Sequence, residues 1–416
     1  MARPRRALAR RAKRLLGYWR SERRTLRQGL VALALSTVAG FIAGLTLASI
    51  TGTLAALPGL LVLIPASVGM RGTVFGAMGA RLATATHAGT FEVTLARGSV
   101  LRRNVEAGVA SSILSSFYLA VMAKLVASAF SESTISLWDM VTISVIGGTV
   151  GSAVILFVTV GLAAASHRRG WDLDAVSTPM VTAIGDMVTL PTLFLATLVV
   201  RHHTVNAIIA GACTVLTVAA LLWIGVAAEK SVRRILAEMV PMILLVPVLD
   251  VLAGALLEAR RPSLVAAPAL LILIPPFVSQ AGAVGGILSS RLSSKLQLGV
   301  ITPRGRPEPP ALVDGTIAIM FGVAVFTLIG LAGTLVAVMT GVGHPGVGAM
   351  TAATLFAGLL ALPVLLVVAY YVAVATARFG LDPDNSGVPT LTSLMDLVGV
   401  ACLLFVLSVS GVLSYG

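Results

Sequence analysis

The chain carries one stretch of sequence twice, as PGLLVLIPASVGMRGTVFGAMGARLATATHAG at residues 58–89 and as PALLILIPPFVSQAGAVGGILSSRLSSKLQLG at residues 268–299. Aligned without a gap at a spacing of 210 residues, the two copies are identical at 13 of 32 positions. Shared leucine and valine could follow from composition alone, whereas shared proline, glycine and arginine at one spacing are much less expected. The identities of that kind include Pro58/Pro268, Pro65/Pro275, Gly72/Gly282, Gly76/Gly286, Arg81/Arg291 and Gly89/Gly299.

An acidic motif repeats at the same spacing further along each copy. Because two separated motifs keep one spacing, we interpret the chain as a tandem duplication. The matched residues are Asp172/Asp382, Asp174/Asp384, Pro179/Pro389, Thr182/Thr392 and Asp186/Asp396.

The composition is that of a membrane protein. Of the 416 residues, 57% are hydrophobic and only 11% are charged, and the mean hydropathy is +0.98. An average soluble domain has roughly 25% charged residues, so this chain could not cover its apolar sequence in water, and a soluble enzyme is excluded. The two cysteines, Cys213 and Cys402, lie in apolar runs and indicate neither a disulfide framework nor a Cys-rich metal site.

Eleven apolar runs are long enough to span a bilayer, since one crossing needs about 20 apolar residues. The runs are continuous rather than alternating, which favours helices over barrel strands. The sequence therefore predicts an all-α polytopic membrane protein. The predicted spans are approximately 29–50, 57–80, 107–130, 138–165, 176–200, 205–228, 239–259, 268–290, 311–339, 349–376 and 386–412.

The sixth span sets the relation between the repeats. Each repeat holds five spans, and an odd number would invert the second copy. The sixth span has no repeat partner and restores the orientation, so the repeats are predicted to be parallel about a pseudo-two-fold axis along the membrane normal. The predicted segments are a basic cytoplasmic tail (1–28), a first five-helix repeat (29–203), a linker helix with its cytoplasmic loop (204–238) and a second five-helix repeat (239–416).

The strong positive charge is interpreted as membrane topology. The formal net charge is +13, from 30 Lys and Arg against 17 Asp and Glu. With the N-terminus in the cytoplasm, 26 of the 30 basic residues fall on the cytoplasmic side, as the positive-inside rule requires. We therefore expect a protein of the cytoplasmic membrane with its C-terminus outside, and no nucleic-acid partner. The tail at 1–28 is either an amphipathic helix lying on anionic lipid or a plain basic tail.

Two aspartates are the strongest candidates for function. Asp186 and its repeat mate Asp396 each lie roughly 15 Å into a predicted span, near the middle of the bilayer. A parallel pseudo-dyad can bring two such carboxylates together, and Mg²⁺ needs only one or two of them because it keeps most of its waters. Thr182 and Thr392, one turn earlier, could contact those waters. The structural alternative is that each Asp is protonated or pairs with a neighbouring helix.

The acids at the start of the same spans have two interpretations. Asp172, Asp174, Asp382 and Asp384 precede the helices on the predicted cytoplasmic side. Helix capping is the favoured interpretation, because aspartate bonds to the free N–H groups at a helix start. The alternative is an acidic vestibule that gathers cations.

The second and eighth spans contain candidate pore-lining residues. Small residues four apart allow close helix packing; alternatively, Pro65 and Pro275 break these helices so that free carbonyls line a pore. We also expect Arg71, whose positive charge would otherwise repel a cation, to pair with an acid such as Asp250 in the seventh span. The candidate pore residues are Gly72, Thr73, Ser279, Gln280, Gly282 and Asp250.

The repeated motifs resemble the MgtE-type membrane domain, in the two-copy arrangement of solute carrier family 41. The resemblance covers most of residues 29–412. It implies a Mg²⁺-permeable channel or transporter whose pore aspartate corresponds to Asp186 and Asp396. The family's Gly-Asn-x-Gly-Thr type motif is here Gly69-Met-Arg-Gly-Thr73 and Ser279-Gln-Ala-Gly-Ala283, without the Asn, a departure that bears on ion selectivity and conduction. The soluble domains of bacterial MgtE proteins are absent, so gating by a cytosolic Mg²⁺ sensor is not expected.

Other functions compete with this prediction. Within transport, the rival is a carrier of another cation or a Na⁺- or H⁺-coupled exchanger. An intramembrane aspartyl protease is a remote rival, because Met395-Asp396 and Ala183-Ile-Gly-Asp186 differ from that class's Tyr-Asp and Gly-x-Gly-Asp motifs. A non-conducting scaffold is the third. We expect a divalent cation transporter in the lipid bilayer and not an enzyme; the duplication makes a monomeric pseudo-dimer sufficient, and a homo-oligomer is compatible with it.

Overall fold

A computed structural model of the chain describes residues 23–130, 134–169, 173–201 and 203–414. Within these ranges the ordered elements are all helices, and eleven of them are long and apolar enough to cross a membrane, which confirms the predicted fold class and span count. The helices are α1 (Arg23–Ser49), α2 (Thr51–Ala56), α3 (Leu60–His87), α4 (Val100–Phe130), α5 (Leu137–Arg169), α6 (Leu173–Val200), α7 (His203–Val226), α8 (Lys230–Glu258), α9 (Arg261–Ala266), α10 (Pro268–Gln297), α11 (Pro309–Met339), α12 (Val347–Phe379) and α13 (Val388–Val409).

Several helices extend beyond the predicted spans. Helix α8 begins at Lys230 rather than near residue 239, and α3 and α10 continue to His87 and Gln297. These extra turns carry charged or polar side chains, so hydropathy assigns them to loops although the backbone stays helical. The basic tail up to residue 22 lies outside the described residues.

Two short helices, α2 and α9, were not predicted. They occupy residues 51–56 and 261–266, which are related by the same spacing of 210 residues, and they pack against each other. The duplication therefore includes this small element, which is too short for a periodic hydrophobic pattern to reveal.

The first long helix of each repeat packs mainly against the opposite repeat. Helix α1 lies against α10, and α8 lies against α3. The same contact occurs in both directions. Gly44 packs against the Ile272 carbonyl, and its repeat mate Gly254 packs against the carbonyl of Val62, which is the repeat mate of Ile272. Such a self-complementary contact is typical of two-fold symmetry. The repeats are thus interlocked, with α3 and α10 as the most buried spans, and the segment boundaries given above stay a prediction.

Helix α7 lies at the periphery. It packs against α4, α5 and, less extensively, α6, and it is the least buried of the candidate spans. Many of its apolar side chains are exposed, with Val226 at 82% exposure. A lipid-facing helix without a counterpart in either repeat agrees with the predicted role of a linker that restores the orientation of the second repeat.

We expect Gly44→Ala and Gly254→Ala to destabilise the fold by about 1–3 kcal/mol each, because overpacking a tight contact forces the backbones apart. A Cβ at either position would overlap a carbonyl oxygen of the opposite repeat. The measurement is the free energy of unfolding in mixed micelles. Gly211→Ala is the control, because no atom lies within 4 Å of its Cβ position, so alanine should stabilise α7 slightly. An equal change in the free energy of unfolding for all three variants would show that the contact between the repeats at Gly44 and Gly254 is not tightly packed.

Candidate ion-binding site

Asp186 joins the two repeats through a hydrogen bond. It lies on α6 of the first repeat, is 4% exposed, and its Oδ2 accepts a hydrogen bond of 2.8 Å from the Ser279 hydroxyl on α10 of the second repeat. The sequence named both residues but did not predict that they bond to each other. The repeat mate of Ser279 is Gly69, which has no hydroxyl, so Asp396 lacks the equivalent donor.

Asp396 lies against α10 at Gly282. A Cβ at Gly282 would stand 3.5 Å from the Asp396 Oδ1 and 3.4 Å from the Thr392 Cβ. Asp396 is partly exposed, and it interacts electrostatically with Asp250 and Asp186. Three carboxyl groups from α6, α8 and α13 therefore share one region at the interface of the repeats.

Asp250 belongs to this acidic region although it has no repeat mate. It is fully buried on α8, and its carboxylate faces Gly69 of α3, where any side chain would overlap it. Ser393 of α13 lies nearby, yet neither Asp250 oxygen makes a hydrogen bond of normal geometry within the described part of the chain. Lone acids at membrane depth are costly and usually functional.

The expected pairing of Arg71 with Asp250 is wrong. No ion pair joins them, and the Arg71 guanidinium instead lies beside Gly148 and Gly151 of α5. Arg71 follows Gly69 by two residues, which turns its side chain by about 200° around α3 and away from α8.

The alternative interpretation, a helix break at the prolines, is also wrong. Helices α3 and α10 run unbroken through Pro65 and Pro275. A proline early in a helix removes a hydrogen bond without ending it when packing on both sides holds the backbone. No broken-helix carbonyls are thus offered to a pore at these two positions, and side chains must supply the polar contacts.

The other candidate pore residues have different surroundings. Gly72 faces open space, whereas Thr73 is buried and donates to the Gly69 carbonyl of its own helix. Gln280 is fully buried, and neither of its amide atoms has a partner among the described groups. Thr392 donates to the Pro389 carbonyl at 3.0 Å, and Thr182 is partly exposed on α6. The repeat mates Gly72 and Gly282 therefore differ in their surroundings, since Gly72 faces open space and Gly282 packs against α13.

Helix capping by the outer acids stays a prediction, although the residue directly before α13 is not one of them. The N-cap of α13 is Gly387, which follows a π-helical turn at Pro383–Gly387, and no side chain caps it. Asp382 is exposed before this turn. Asp172 lies outside the described residues, and the side chains of Asp174 and Asp384 are likewise outside the description.

The arrangement suits an ion that keeps its water shell. Within the described ranges, no three His, Cys, Asp or Glu side chains come close enough to hold a bare metal ion. Carboxylates that share a region without converging can instead bind a hydrated cation through its waters, as Mg²⁺ commonly requires.

An ion cluster that the sequence analysis missed lies near one end of α10. Asp314 of α11 is fully buried, and its two carboxylate oxygens lie 2.9 Å from Arg291 Nη2 and 2.6 Å from Lys295 Nζ. In the first repeat, Arg81 donates to the Asn104 amide oxygen at 2.8 Å. The spacing of 210 residues relates both pairs, so aligning the polar residues of the two copies could have revealed them.

Comparison with known proteins identifies a family and relatives that cover most of the chain. The MgtE family, described as a divalent cation transporter, matches residues 64–196 and 274–406. Solute carrier family 41 member 2 of Mus musculus is 25% identical over 365 residues, covering 82% of this chain and 62% of that protein. The Homo sapiens protein of the same name is 24% identical with the same coverage, and member 3 of Rattus norvegicus is 23% identical, covering 83% of this chain and 78% of that protein. The chain spans about three fifths of the length of the member 2 relatives, and no solved structure matches it.

Proposed function

Because the chain belongs to the MgtE family of divalent cation transporters, we propose that it carries Mg²⁺ across the cell membrane along a path between its two repeats. The observation that carries the proposal is the acidic region at that interface, where Asp186, Asp250 and Asp396 interact at membrane depth. Acidic side chains inside a membrane protein are costly to bury and commonly mark ion pathways.

The donor chemistry favours a hard, hydrated ion. Asp186 and Asp396 supply carboxylate oxygens, and Thr182 and Thr392 supply hydroxyls one turn away. Mg²⁺ prefers oxygen and gives up its waters reluctantly, so two carboxylates that reach the ion through water are sufficient. The relatives' description as divalent cation transporters supports the same class of ion.

A single chain supplies both halves of the proposed path. The interlocked packing of α1 on α10 and of α8 on α3 holds the two repeats together without a second subunit. A homo-oligomer is compatible with the proposal and is not needed for it. The distribution of basic residues supports a cytoplasmic N-terminus and an external C-terminus.

The proposal is tested by measuring Mg²⁺ flux into proteoliposomes that contain the full chain. We expect uptake down a Mg²⁺ gradient that exceeds the leak of protein-free vesicles and that other divalent cations inhibit. Transport of another cation without Mg²⁺ would overturn the substrate, and flux that requires an opposing Na⁺ or H⁺ gradient would replace a channel with an exchanger. If no cation crosses faster than it leaks into protein-free vesicles, the proposed transport function is wrong.

Ser279→Ala should lower Mg²⁺ flux by about tenfold, because a hydrogen bond to a charged group contributes about 1.5–3 kcal/mol. The change removes the donor that orients Asp186 and leaves the carboxylate in place. The matched control is Ser294→Ala on the same helix, whose hydroxyl donates to its own helix carbonyl at Ser290. Flux that is equal in the two variants would show that Ser279 does not orient the site.

A further inference from the structure

The first repeat contains a small polar cavity that the proposed transport path does not use. The cavity lies among α3, α4 and α5, and Arg71 is the charged residue in its wall. The volume of the cavity is about 10 Å³, which is about the space that one small particle needs. Five serines share this wall with Arg71: Ser67, Ser112, Ser115, Ser116 and Ser152.

Arg71 places a positive charge in this wall without a negative partner. It is 5% exposed, and its Nη1 donates to the Ser67 carbonyl at 2.9 Å, while its Nε has no hydrogen-bond partner. Among the described residues no carboxylate lies within ion-pair distance of it. Arg71 stands eleven residues into α3, about 17 Å along its axis, so the charge lies at membrane depth. An unpaired guanidinium there requires a counter-charge.

The serines offer hydroxyl groups to the same space. Ser112 and Ser115 donate to carbonyls of α4, which orients their oxygens along that helix. The hydroxyls of Ser67, Ser116 and Ser152 make no hydrogen bond to any group that the structure describes, which leaves them available as donors. A guanidinium together with several hydroxyl donors is the chemistry of an anion site.

The second repeat shows that the fold does not require these polar residues. At the positions 210 residues further on, the cavity is replaced by apolar packing, and the rings of Phe277 and Phe326 lie 4.8 Å apart. The serines and the arginine are therefore specific to the first repeat. The residues that replace Ser67, Arg71, Ser112, Ser115, Ser116 and Ser152 are Phe277, Ala281, Gly322, Val325, Phe326 and Leu362.

We infer that this cavity binds one monatomic anion of the halide class, held by the Arg71 guanidinium and by the hydroxyls of Ser67, Ser116 and Ser152. The cavity has about the space of one small particle, which favours a monatomic anion over a polyatomic one. The bound anion offsets the Arg71 charge inside the membrane. The inference does not depend on the transported cation.

The test is thermal unfolding of the purified full chain in detergent while chloride replaces gluconate at constant ionic strength. A ligand that binds the folded state raises the midpoint in proportion to the logarithm of its concentration. We expect this rise for the wild type and its loss in Arg71→Met. In Ser152→Ala, the rise should need about tenfold more chloride, because one hydrogen bond to a charged group is gone.

Ser289→Ala is the matched control, since Ser289 is a buried serine of the second repeat outside the cavity. It should respond to chloride as the wild type does, which separates a specific site from a general salt effect. A wild-type midpoint that is the same in chloride and gluconate would overturn the inference. A chloride response in Ser152→Ala that is identical to that of Ser289→Ala would also overturn the inference. This comparison can be made even if Arg71→Met fails to fold.

Discussion

Replacing Asp186 or Asp396 by asparagine is expected to lower Mg²⁺ flux by about 100-fold. Asparagine keeps the size of the side chain but removes the negative charge that balances the ion in a low-dielectric interior. A loss of about 2.7 kcal/mol in the stabilisation of the passing ion corresponds to this factor. The measurement is the initial rate of Mg²⁺ uptake into proteoliposomes at equal protein content.

The control for this experiment is Glu238→Gln, which also removes one negative charge. Glu238 is an exposed acid, with 56% side-chain exposure, in an ion pair with Arg234 on α8, so its loss should leave the flux unchanged. The unfolding midpoint of each variant should stay near that of the wild type, which separates lost transport from lost folding. Normal transport in both Asp variants would make the two aspartates structural and reject the proposed path.

Asp314→Ala is expected to lower the free energy of unfolding by about 3–5 kcal/mol. Asp314 is fully buried and balances both Arg291 and Lys295, at 2.9 and 2.6 Å. Removing the acid takes one buried ion-pair partner from each of two partly buried cations, and breaking a buried ion cluster in this way costs about that much. The measurement is the free energy of unfolding by denaturant titration in mixed micelles.

The first repeat provides an internal comparison for this prediction. Asn104 takes the place of Asp314, and its bond to Arg81 is not an ion pair. Asn104→Ala should therefore cost only about 1 kcal/mol. Arg234→Ala on the surface should change the stability by less than about 1 kcal/mol, because exposed pairs contribute little. A loss in Asp314→Ala no larger than that in Asn104→Ala would show that the ion cluster adds no stability.

Much of the architecture could be predicted from the sequence because it depends on local properties. Long apolar runs must form helices in lipid, where every backbone group needs a partner within its own segment. The count of eleven spans follows from run length, and the tandem duplication follows from identities at one spacing. Both predictions are confirmed. Helix ends were less accurate, because α8 continues through charged turns that hydropathy assigns to a loop.

The contacts between residues far apart in the chain could not be predicted in the same way. The sequence indicated Asp186 and Ser279 as candidate residues. Only the folded chain shows that they form a hydrogen bond, although 93 residues separate them. The predicted pairing of Arg71 with Asp250 assumed that a buried charge in a membrane lies beside a charge of opposite sign. The direction in which α3 turns each side chain separates them instead, and Arg71 faces the serine-lined cavity.

The sequence by itself determined the membrane environment, the number of spans, the duplication and the position of Asp186, Asp250 and Asp396 within spans, because hydropathy and repeat spacing are properties of the chain. The tertiary structure alone decided that α1 and α8 pack on the opposite repeat and that Asp250 joins the region of Asp186 and Asp396. The physical reason is that helix packing depends on the close fit of surfaces. A glycine such as Gly44 or Gly254 allows a contact whose partner no local pattern specifies.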